Sequence, residues 1–315
     1  MRRFGGVKQT TRSFYVSAVH RALGQVLRSL DDAVDLGALA REAALAPLHF
    51  HRIFRGMVGE TPLELHRRLR LERAARHLCA GDAPVTRVAF DAGYETHESF
   101  TRAFRDAYAS SPSEFRARAR EAAASGAPLP MVELAAPTGI HFTHAFPQNV
   151  VIQTREESST MHVDVMSMSA RRLATVAHRG PYNTIAKAFE RLGELAGPCG
   201  LFETGVAAML AIYHDDPDAT PPAELRSDAG IVVPEGVTLP KGLTETRIAA
   251  GRFARTTHVG PYNLLGDAWS RFMGTWLPSS GHRLGPLWSY EHYLNTPMTA
   301  SPSELRTDLY ISLAE

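Results

Sequence analysis

A single carboxylate stands among aromatic residues near the end of this 315-residue chain. In the stretch LWSYEHYLNTP, Glu291 is flanked by Trp288, Tyr290 and Tyr293. Aromatic faces attract organic cations and a carboxylate pairs with their charge, so this combination is typical of a site for a cationic small molecule. Two plainer interpretations stay open, because an exposed carboxylate can face water and a paired one can serve an arginine of the same chain.

A strand is the element expected to carry these side chains, and its alternation divides them. Glu291 and Tyr293 would share one face of the strand, whereas Trp288, Tyr290 and His292 would share the other. The aromatics therefore cannot all line one site. Binding chemistry is expected from Glu291 together with Tyr293.

A repeat with a period of 80 residues shows how this strand is built into the chain. HRGPYN at 178–183 returns as HVGPYN at 258–263, and PPAELRSD at 221–228 returns as SPSELRTD at 301–308. Self-similarity at one fixed offset indicates a structural unit used twice. The offset aligns Glu291 with Ala211, so the carboxylate breaks the similarity of the two halves and becomes a candidate functional residue.

Each copy of the repeat predicts a strand, a Gly-Pro turn and a helix. ARRLATVAHRGPYN leads into TIAKAFERLGELAG, in which the apolar residues have helical spacing. The same order returns after Arg252. His178 and His258 occupy equivalent turn positions and are interpreted as structural.

The first 120 residues show a second repeat, with an offset of 50, that places arginines beside apolar stripes. In PLHFHRIFRGMV the apolar residues fall at helical spacing, and ESFTRAFRDAY repeats the pattern. Arg52 and Arg55 of the first stretch return as Arg102 and Arg105 of the second. Gly93 supplies a tight-turn residue before the second stripe, as in a helix-turn-helix.

The charge of the chain is divided between its two parts. Residues 1–120 hold 20 Lys and Arg against 13 Asp and Glu, whereas the remainder holds 14 against 20, so a net charge of +1 conceals a basic and an acidic part. This asymmetry favours a polyanionic partner for the first part. No apolar run is long enough for a membrane span, so a soluble, cytoplasmic protein is expected. Cys79 and Cys199 have no C-x-x-C spacing and indicate neither disulfides nor a zinc site.

Residues 14–118 resemble the AraC-type transcription regulators. The resemblance rests on LHFHRIFRGMVGETPLELHRRLRLERAARHL and on VAFDAGYETHESFTRAFRDAYASSPSEFR. It implies an all-α domain with two helix-turn-helix units joined by a long helix, and a double-stranded DNA partner. A recognition helix of this kind enters the major groove with its apolar face anchored and its polar face turned to the bases.

The resemblance also implies roles for the polar residues of the two recognition helices. Arg52 and Arg102 are the expected base contacts, because a guanidinium can bond guanine O6 and N7 together. Arg55 and Arg105, one helical turn further on, are expected at phosphates. Further base contacts are expected from His51, His97, Thr101 and Glu98.

Residues 161–315 resemble the GyrI-like effector-binding domains. The doubled GPYN motif and its matching tail carry this resemblance. It implies an α+β domain built from two strand-helix-strand-strand repeats, which form a curved antiparallel sheet around a groove. On this resemblance Tyr182 and Tyr262 line the groove, Glu291 and Tyr293 lie at its floor, and Trp269 contributes from a helix.

The chain is therefore expected to be multidomain, with a DNA-binding domain at 10–120, a Pro/Gly-rich linker at 121–160 and an effector-binding domain at 161–315. The expected function is ligand-responsive transcription regulation, without a cofactor, metal or catalytic residue, and with RNA polymerase as a further partner. Two alternatives stay open. Glu291 could act as the base of a hydrolase of electrophilic natural products, or the domain could be a sequestering module that responds to no inducer.

Overall fold

The computed structural model describes residues 3–137, 139–142, 161–205, 207–215, 217 and 220–314. The first part of the chain is helical, with the following helices: α1 Arg3–Arg28, α2 Leu36–Glu42, α3 Pro47–Val58, α4 Pro62–Ala80, α5 Val85–Asp91, α6 His97–Tyr108 and α7 Pro112–Ser125.

Two of these helices begin at the TP and SP pairs of the 50-residue repeat. Thr61 caps α4, and its hydroxyl accepts the Glu64 amide while the Glu64 carboxylate accepts the Thr61 amide. Ser111 caps α7 through the same reciprocal bonds with Glu114. The proline that follows each cap occupies the first helical turn, where a missing N–H costs nothing.

The second helix-turn-helix is formed by α5 and α6. Gly93 adopts φ +74° in the turn between them, a conformation that favours glycine, as the sequence indicated. Thr96 then caps α6 by accepting the Ser99 amide. Phe100 and Phe104 point inward and are fully buried in a cluster with residues of α4, α5 and α7. Burial of this apolar face fixes which face of α6 is left to solvent.

The described residues form two compact units. One comprises Met1–Ser17, Leu45–Gly56 and Arg155–Glu315, and the other comprises Ala18–Ala44 and Met57–Thr154. Most of α3 therefore belongs to the same unit as the sheet described below. The second helix-turn-helix, α5 and α6, belongs to the other unit.

In the described part of the second half of the chain, eight strands form one antiparallel sheet in the order β1-β6-β8-β7-β3-β4-β2-β5. The strands are β1 Asp164–Met168, β2 Arg171–Arg179, β3 Met209–Tyr213, β4 Arg226–Val232, β5 Thr244–Ile248, β6 Gly251–Val259, β7 Tyr290–Tyr293 and β8 Arg306–Leu313. The α-helices in the described part of the second half of the chain are α8 Ala186–Ala196, α9 Leu265–Arg271 and α10 Leu277–Ser280, with one π-helical turn, Phe272–Trp276, between the last two.

The strand boundaries of the sheet follow the 80-residue repeat closely. β2 and β6 begin and end at positions 80 apart, and so do the short strands β1 and β5. The predicted strand-helix-strand-strand unit is confirmed, and each copy carries one additional leading strand. These leading strands are exchanged between the halves, because β1 pairs with β6 and β5 pairs with β2.

The two halves meet at the centre of the sheet, where β3 pairs with β7. In this antiparallel register Ala211 lies directly opposite Glu291, and Met209 lies opposite Tyr293. Because Ala211 and Glu291 are also equivalent in the repeat, the approximate twofold axis relating the halves passes between them. Glu291 therefore lies beside the axis, with Ala211 as its counterpart on the other side.

Part of the segment expected to be a linker is ordered. Residues 121–125 continue α7. The amides of Leu134 and Phe142 then donate to the Glu72 carboxylate of α4, at 3.0 Å and 2.8 Å, and the Tyr108 hydroxyl donates to the carbonyl of Val132. A fully buried carboxylate thus ties residues 131–142 to the helices. The rest of the expected linker, residues 143–160, lies outside the described residues.

Candidate ligand groove and DNA-contacting helices

The centre of the candidate groove is the carboxylate of Glu291 on β7. The side chain is 3% exposed, yet three donors surround it. The indole N–H of Trp269 donates to Oε1 at 2.7 Å, and the hydroxyls of Tyr293 and Tyr213 donate to Oε2 at 2.7 Å and 3.0 Å. All three donors are neutral. The hydrogen bonds of the buried carboxylate therefore come from groups that carry no charge of their own.

Tyr213 and Tyr293 are equivalent in the repeat, and the central pairing of β3 with β7 brings them together. Their hydroxyl oxygens lie 3.2 Å apart. Burial, reinforced by the charge of Glu291, raises the pKa of both phenols well above the usual value. Both hydroxyls therefore keep their protons and act as donors to the carboxylate.

The GPYN turns supply a further tyrosine to each half of the groove. The rings of Tyr182 and Tyr213 meet edge to face with centroids 4.7 Å apart, and those of Tyr262 and Tyr293 do so at 5.3 Å. The Tyr182 hydroxyl donates to the carbonyl of Asp215, which fixes the ring against β3. Burial also raises the pKa of Tyr262. The turn tyrosines thus brace the pair that holds Glu291.

The turn itself requires glycine. Gly180 and Gly260 adopt φ +134° and +135°, a region that side-chain-bearing residues avoid. Their amides donate to the carbonyls of Leu225 and Leu305 at 2.8 Å and 2.9 Å, so each copy is held in the same way to the residue just before β4 or β8. His178 bonds Ser227 and Thr184 beside the first of these turns, which is a structural role.

Trp269 is another position in the groove at which the halves differ. The 80-residue offset aligns it with Phe189, whose ring contacts Tyr293 edge to face at 5.5 Å. Phenylalanine and tryptophan fill the same place, but the indole alone has an N–H to donate. Trp269 and Glu291 therefore occur together in the second half, where the first half has Phe189 and Ala211 at the equivalent positions. Because Trp269 donates to Glu291, we interpret these two differences between the halves as parts of one binding site.

The structure brings the five ligand-site residues chosen from the sequence into one neighbourhood. It adds Tyr213 and Phe189, which the sequence analysis did not choose. Both could have been found from the repeat, since each aligns with a chosen residue of the other half. Tyr290 lies on the opposite face, fully buried and stacked on Tyr310 at 4.6 Å, as strand alternation requires.

Three residues of α3 contact the groove side of the sheet unit to which most of that helix belongs. The guanidinium of Arg52 lies 3.9 Å from the ring centroid of Trp269. Arg55 pairs with Asp267 at 2.9 Å, and His49 Nε2 lies 3.2 Å from the Ser289 hydroxyl. Burial, together with the charge of Arg52, lowers the pKa of His49 to about 4, so the imidazole is neutral.

The first recognition helix thus differs from the sequence expectation of an outward polar face. His51 is only 7% exposed, because it lies one helical turn before the buried Phe54 and two before Val58, at the edge of the apolar stripe. Arg52 and Arg55 are half-buried and engaged by Trp269 and Asp267. In this arrangement the two arginines that were expected to contact DNA make protein contacts.

The second recognition helix, α6, keeps its polar face open. Glu98, Arg102 and Arg105 are exposed at i, i+4 and i+7, while His97 and Thr101 are half-buried beside them. Both arginines are exposed. Hydrogen bonds from Ser111 lower the pKa of Glu114 at the start of α7, and the charge of Arg105 also contributes to this lowering. An open face with two cations is suited to the bases and phosphates of a DNA groove.

Within the described residues, no group of three His, Cys, Asp or Glu side chains is arranged to hold a metal ion. None of the described helices combines the length and apolar character that crossing a membrane requires.

Two family models match this architecture. A GyrI-like small molecule binding domain matches residues 161–314, and a helix-turn-helix domain of the AraC type matches residues 39–118. The chain belongs to the family of GyrI-like small molecule binding proteins, and a helix-turn-helix domain precedes that part of it.

Curated relatives resemble one or the other part of this chain. A DNA gyrase inhibitor of Yersinia enterocolitica is 30% identical over 141 residues, which cover 43% of the chain and 87% of the relative. A second DNA gyrase inhibitor, from Escherichia fergusonii, is 34% identical over 27% of the chain and 57% of its own length. The transcriptional activator RclR of Escherichia coli is 30% identical over 36% of the chain and 42% of its own length. The chain thus spans only about half the length of two of these three relatives.

Proposed function

We propose that this chain is a transcription regulator in which the GyrI-like groove senses an aromatic or amphipathic organic cation. The observation that carries the proposal is the Glu291 carboxylate, 3% exposed and bound by the three neutral donors of Trp269, Tyr213 and Tyr293. A buried carboxylate whose hydrogen-bond donors are all uncharged favours a cationic guest, and the surrounding rings offer their faces to it.

Duplex DNA is the proposed partner of the helical part. The exposed Arg102 and Arg105 of α6 and the net positive charge of residues 1–120 support this assignment. The regulator then acts in the cytoplasm, where promoter DNA is reached, and RNA polymerase is the partner through which a promoter-bound regulator would act.

Binding rather than turnover is proposed for the groove. Hydrolysis would need Glu291 to accept a proton from water or to attack substrate. Three donors already occupy its two oxygens, which leaves little of the carboxylate free for a new bond. A carboxylate held by three donors is better suited to attracting a bound cation than to accepting a proton as a general base.

Titration of the full chain with 10-methylacridinium, an aromatic cation, tests the groove. Saturable binding without consumption of the cation supports sensing, whereas the appearance of a hydrolysis product from an electrophilic substrate would support the enzyme instead. Absence of any binding would favour a sequestering module.

Duplex binding is tested separately by titration at several salt concentrations. Affinity should fall steeply as salt rises, because arginines that contact phosphates release counterions. A flat dependence would contradict the DNA-binding assignment of the basic part.

A further inference from the structure

One face of α3 is built to lie against the helix that carries Trp269. His49, Arg52 and Gly56 stand at i, i+3 and i+7, so they form a single stripe on α3. All three belong to the compact unit that contains the sheet. Their partners are Ser289, Trp269 and the backbone at the junction of α9 with the π-helical turn.

Gly56 allows the two helices to approach at backbone distance. A Cβ built on Gly56 would clash with the carbonyl oxygen of Ser270 and lie 2.7 Å from the Cα of Gly274. Gly56 has no conformational need to be glycine, since its φ is that of an ordinary helical residue. The glycine is therefore explained by the close approach rather than by the fold of α3.

Arg52 is placed by this approach where a cationic guest of the groove would be. Its guanidinium lies over the Trp269 ring, and the indole N–H of that ring is bonded to Glu291. Its charge also reaches Tyr213, the second partner of the carboxylate. A planar cation on an aromatic face beside a buried carboxylate has the same chemistry as the proposed effector.

We propose that Arg52 is an internal occupant of the effector groove, and that an aromatic cation binds by displacing it and releasing α3 for DNA. The inference rests on the proposed function, because it assigns a regulation to the same groove. Arg52 and Arg55 are held by Trp269 and Asp267 when α3 is docked, and they become available to bases and phosphates when it is not. Cation binding should therefore strengthen DNA binding.

Gly56→Ala is the variant that tests the occupant model. Alanine favours a helix more than glycine does, so α3 should persist, while the added Cβ prevents close docking. The substitution changes no charge and removes no side chain expected to contact DNA or effector. Gly193→Ala is the matched control, because Gly193 is also inside a helix but has open space around its Cβ position.

The experiment measures two affinities in the full chain, for 10-methylacridinium and for a duplex selected from a random pool. In the parent protein each ligand should strengthen binding of the other by the same factor, on the order of 5- to 150-fold. In Gly56→Ala both affinities should be high from the start, and the mutual enhancement should vanish. Gly193→Ala should behave like the parent.

Two failures are distinguishable. If the parent and Gly56→Ala bind the cation equally and neither shows mutual enhancement, the occupant model is overturned while cation sensing stands. If neither protein binds the cation but both bind DNA, the proposed sensing function itself is wrong.

Asp267→Ala provides a second route if Gly56→Ala does not fold. Asp267 is exposed and pairs with Arg55, so its removal loosens α3 from the other side of the contact. Glu190→Ala, an exposed residue of α8, makes the same change of charge at a distance from this contact. If Arg52 is an internal occupant, Asp267→Ala should increase the affinities for 10-methylacridinium and for DNA, as undocking of α3 would. Equal affinities in Asp267→Ala and Glu190→Ala would overturn the occupant model.

Discussion

At the scale of single residues, the groove depends on one carboxylate in an environment that would otherwise be apolar and aromatic. Glu291 receives hydrogen bonds from a tryptophan and two tyrosines, and none of these donors carries a charge. A positive group beside the carboxylate, whether Arg52 or a guest that replaces it, would add an attraction that these neutral donors do not supply, and this attraction is the proposed source of charge selectivity.

Glu291→Gln should weaken binding of 10-methylacridinium by about 1–3 kcal/mol, the scale of a charge-assisted contact. The amide has the same shape and can still accept from Trp269, so thermal unfolding should change little. Acridine, measured at mildly alkaline pH where it is neutral, should bind the parent and the variant alike. An equal loss for both compounds would mean that Glu291 shapes the groove rather than selecting charge.

Arg102 allows a comparable test on the DNA-contacting side. Arg102→Ala should reduce affinity and relax preference at one base pair, by about 1–3 kcal/mol of discrimination, if the guanidinium contacts a base edge. Selection from random duplexes before and after the substitution measures this. A loss that is uniform over all sequences would instead assign Arg102 to a phosphate.

At the scale of elements, the two GPYN turns place one tyrosine on each side of the groove. Gly180 and Gly260 share nearly the same unusual φ, and each turn leads into the tyrosine that braces the central pair. Such a conformation is expensive for any residue with a Cβ. The near identity of the two turns therefore reflects backbone geometry.

Gly180→Ala and Gly260→Ala should each lower the free energy of unfolding by about 1–3 kcal/mol, the cost of holding a non-glycine residue in this region. Denaturant unfolding measures the loss. Gly197→Ala is the control, since Gly197 has φ −58° and no atom near its Cβ position. A turn variant as stable as this control would show that the loop can relax at no cost.

The elements also show how far sequence carries the fold and the site. The offset of 80 residues predicted the paired turns, and strand alternation placed Glu291 with Tyr293 and away from Tyr290. Strand alternation predicts which face of a sheet a side chain occupies, but it does not predict which strands pair. It therefore could not show that β1 and β5 exchange partners between the halves.

The contact of Arg52 with Trp269 joins residues 217 positions apart, and no local pattern encodes such a pair. The same limit applies to the ordered segment at 131–142, whose amides are bound by a carboxylate far back on α4.

At the scale of the whole molecule, that ordered segment shows that the unit which holds the second helix-turn-helix extends beyond residue 120. Val132 and Leu134 pack against the cluster around Phe100 and Phe104, and Glu72 binds the backbone of Leu134 and Phe142. Glu72 is fully buried and also pairs with Arg68. Removing its backbone partners would leave part of a buried carboxylate unsatisfied.

A fragment ending at residue 142 should therefore unfold at a higher temperature than one ending at residue 120. The physical reason is the loss of apolar contacts and of two charge-assisted hydrogen bonds in the shorter fragment. Thermal unfolding by circular dichroism measures the difference. Glu72→Gln in the longer fragment should remove much of the advantage, and identical melting of the two fragments would contradict the assigned role of the segment.

The place of Glu291 beside the approximate twofold axis has a consequence for how such a groove can arise. Two separate, identical copies of the half-domain would assemble as a self-complementary homodimer, and every residue beside its axis would face its own copy. Glutamate at this position would then oppose glutamate across neighbouring strands, and two buried like charges would repel each other. A single chain that holds both copies is free of this constraint, because each copy can mutate alone. In this chain the first half has alanine and phenylalanine at the positions where the second half has the carboxylate and its tryptophan, a difference that two identical copies could not show. The groove is thus a binding site that a symmetric dimer could not have formed.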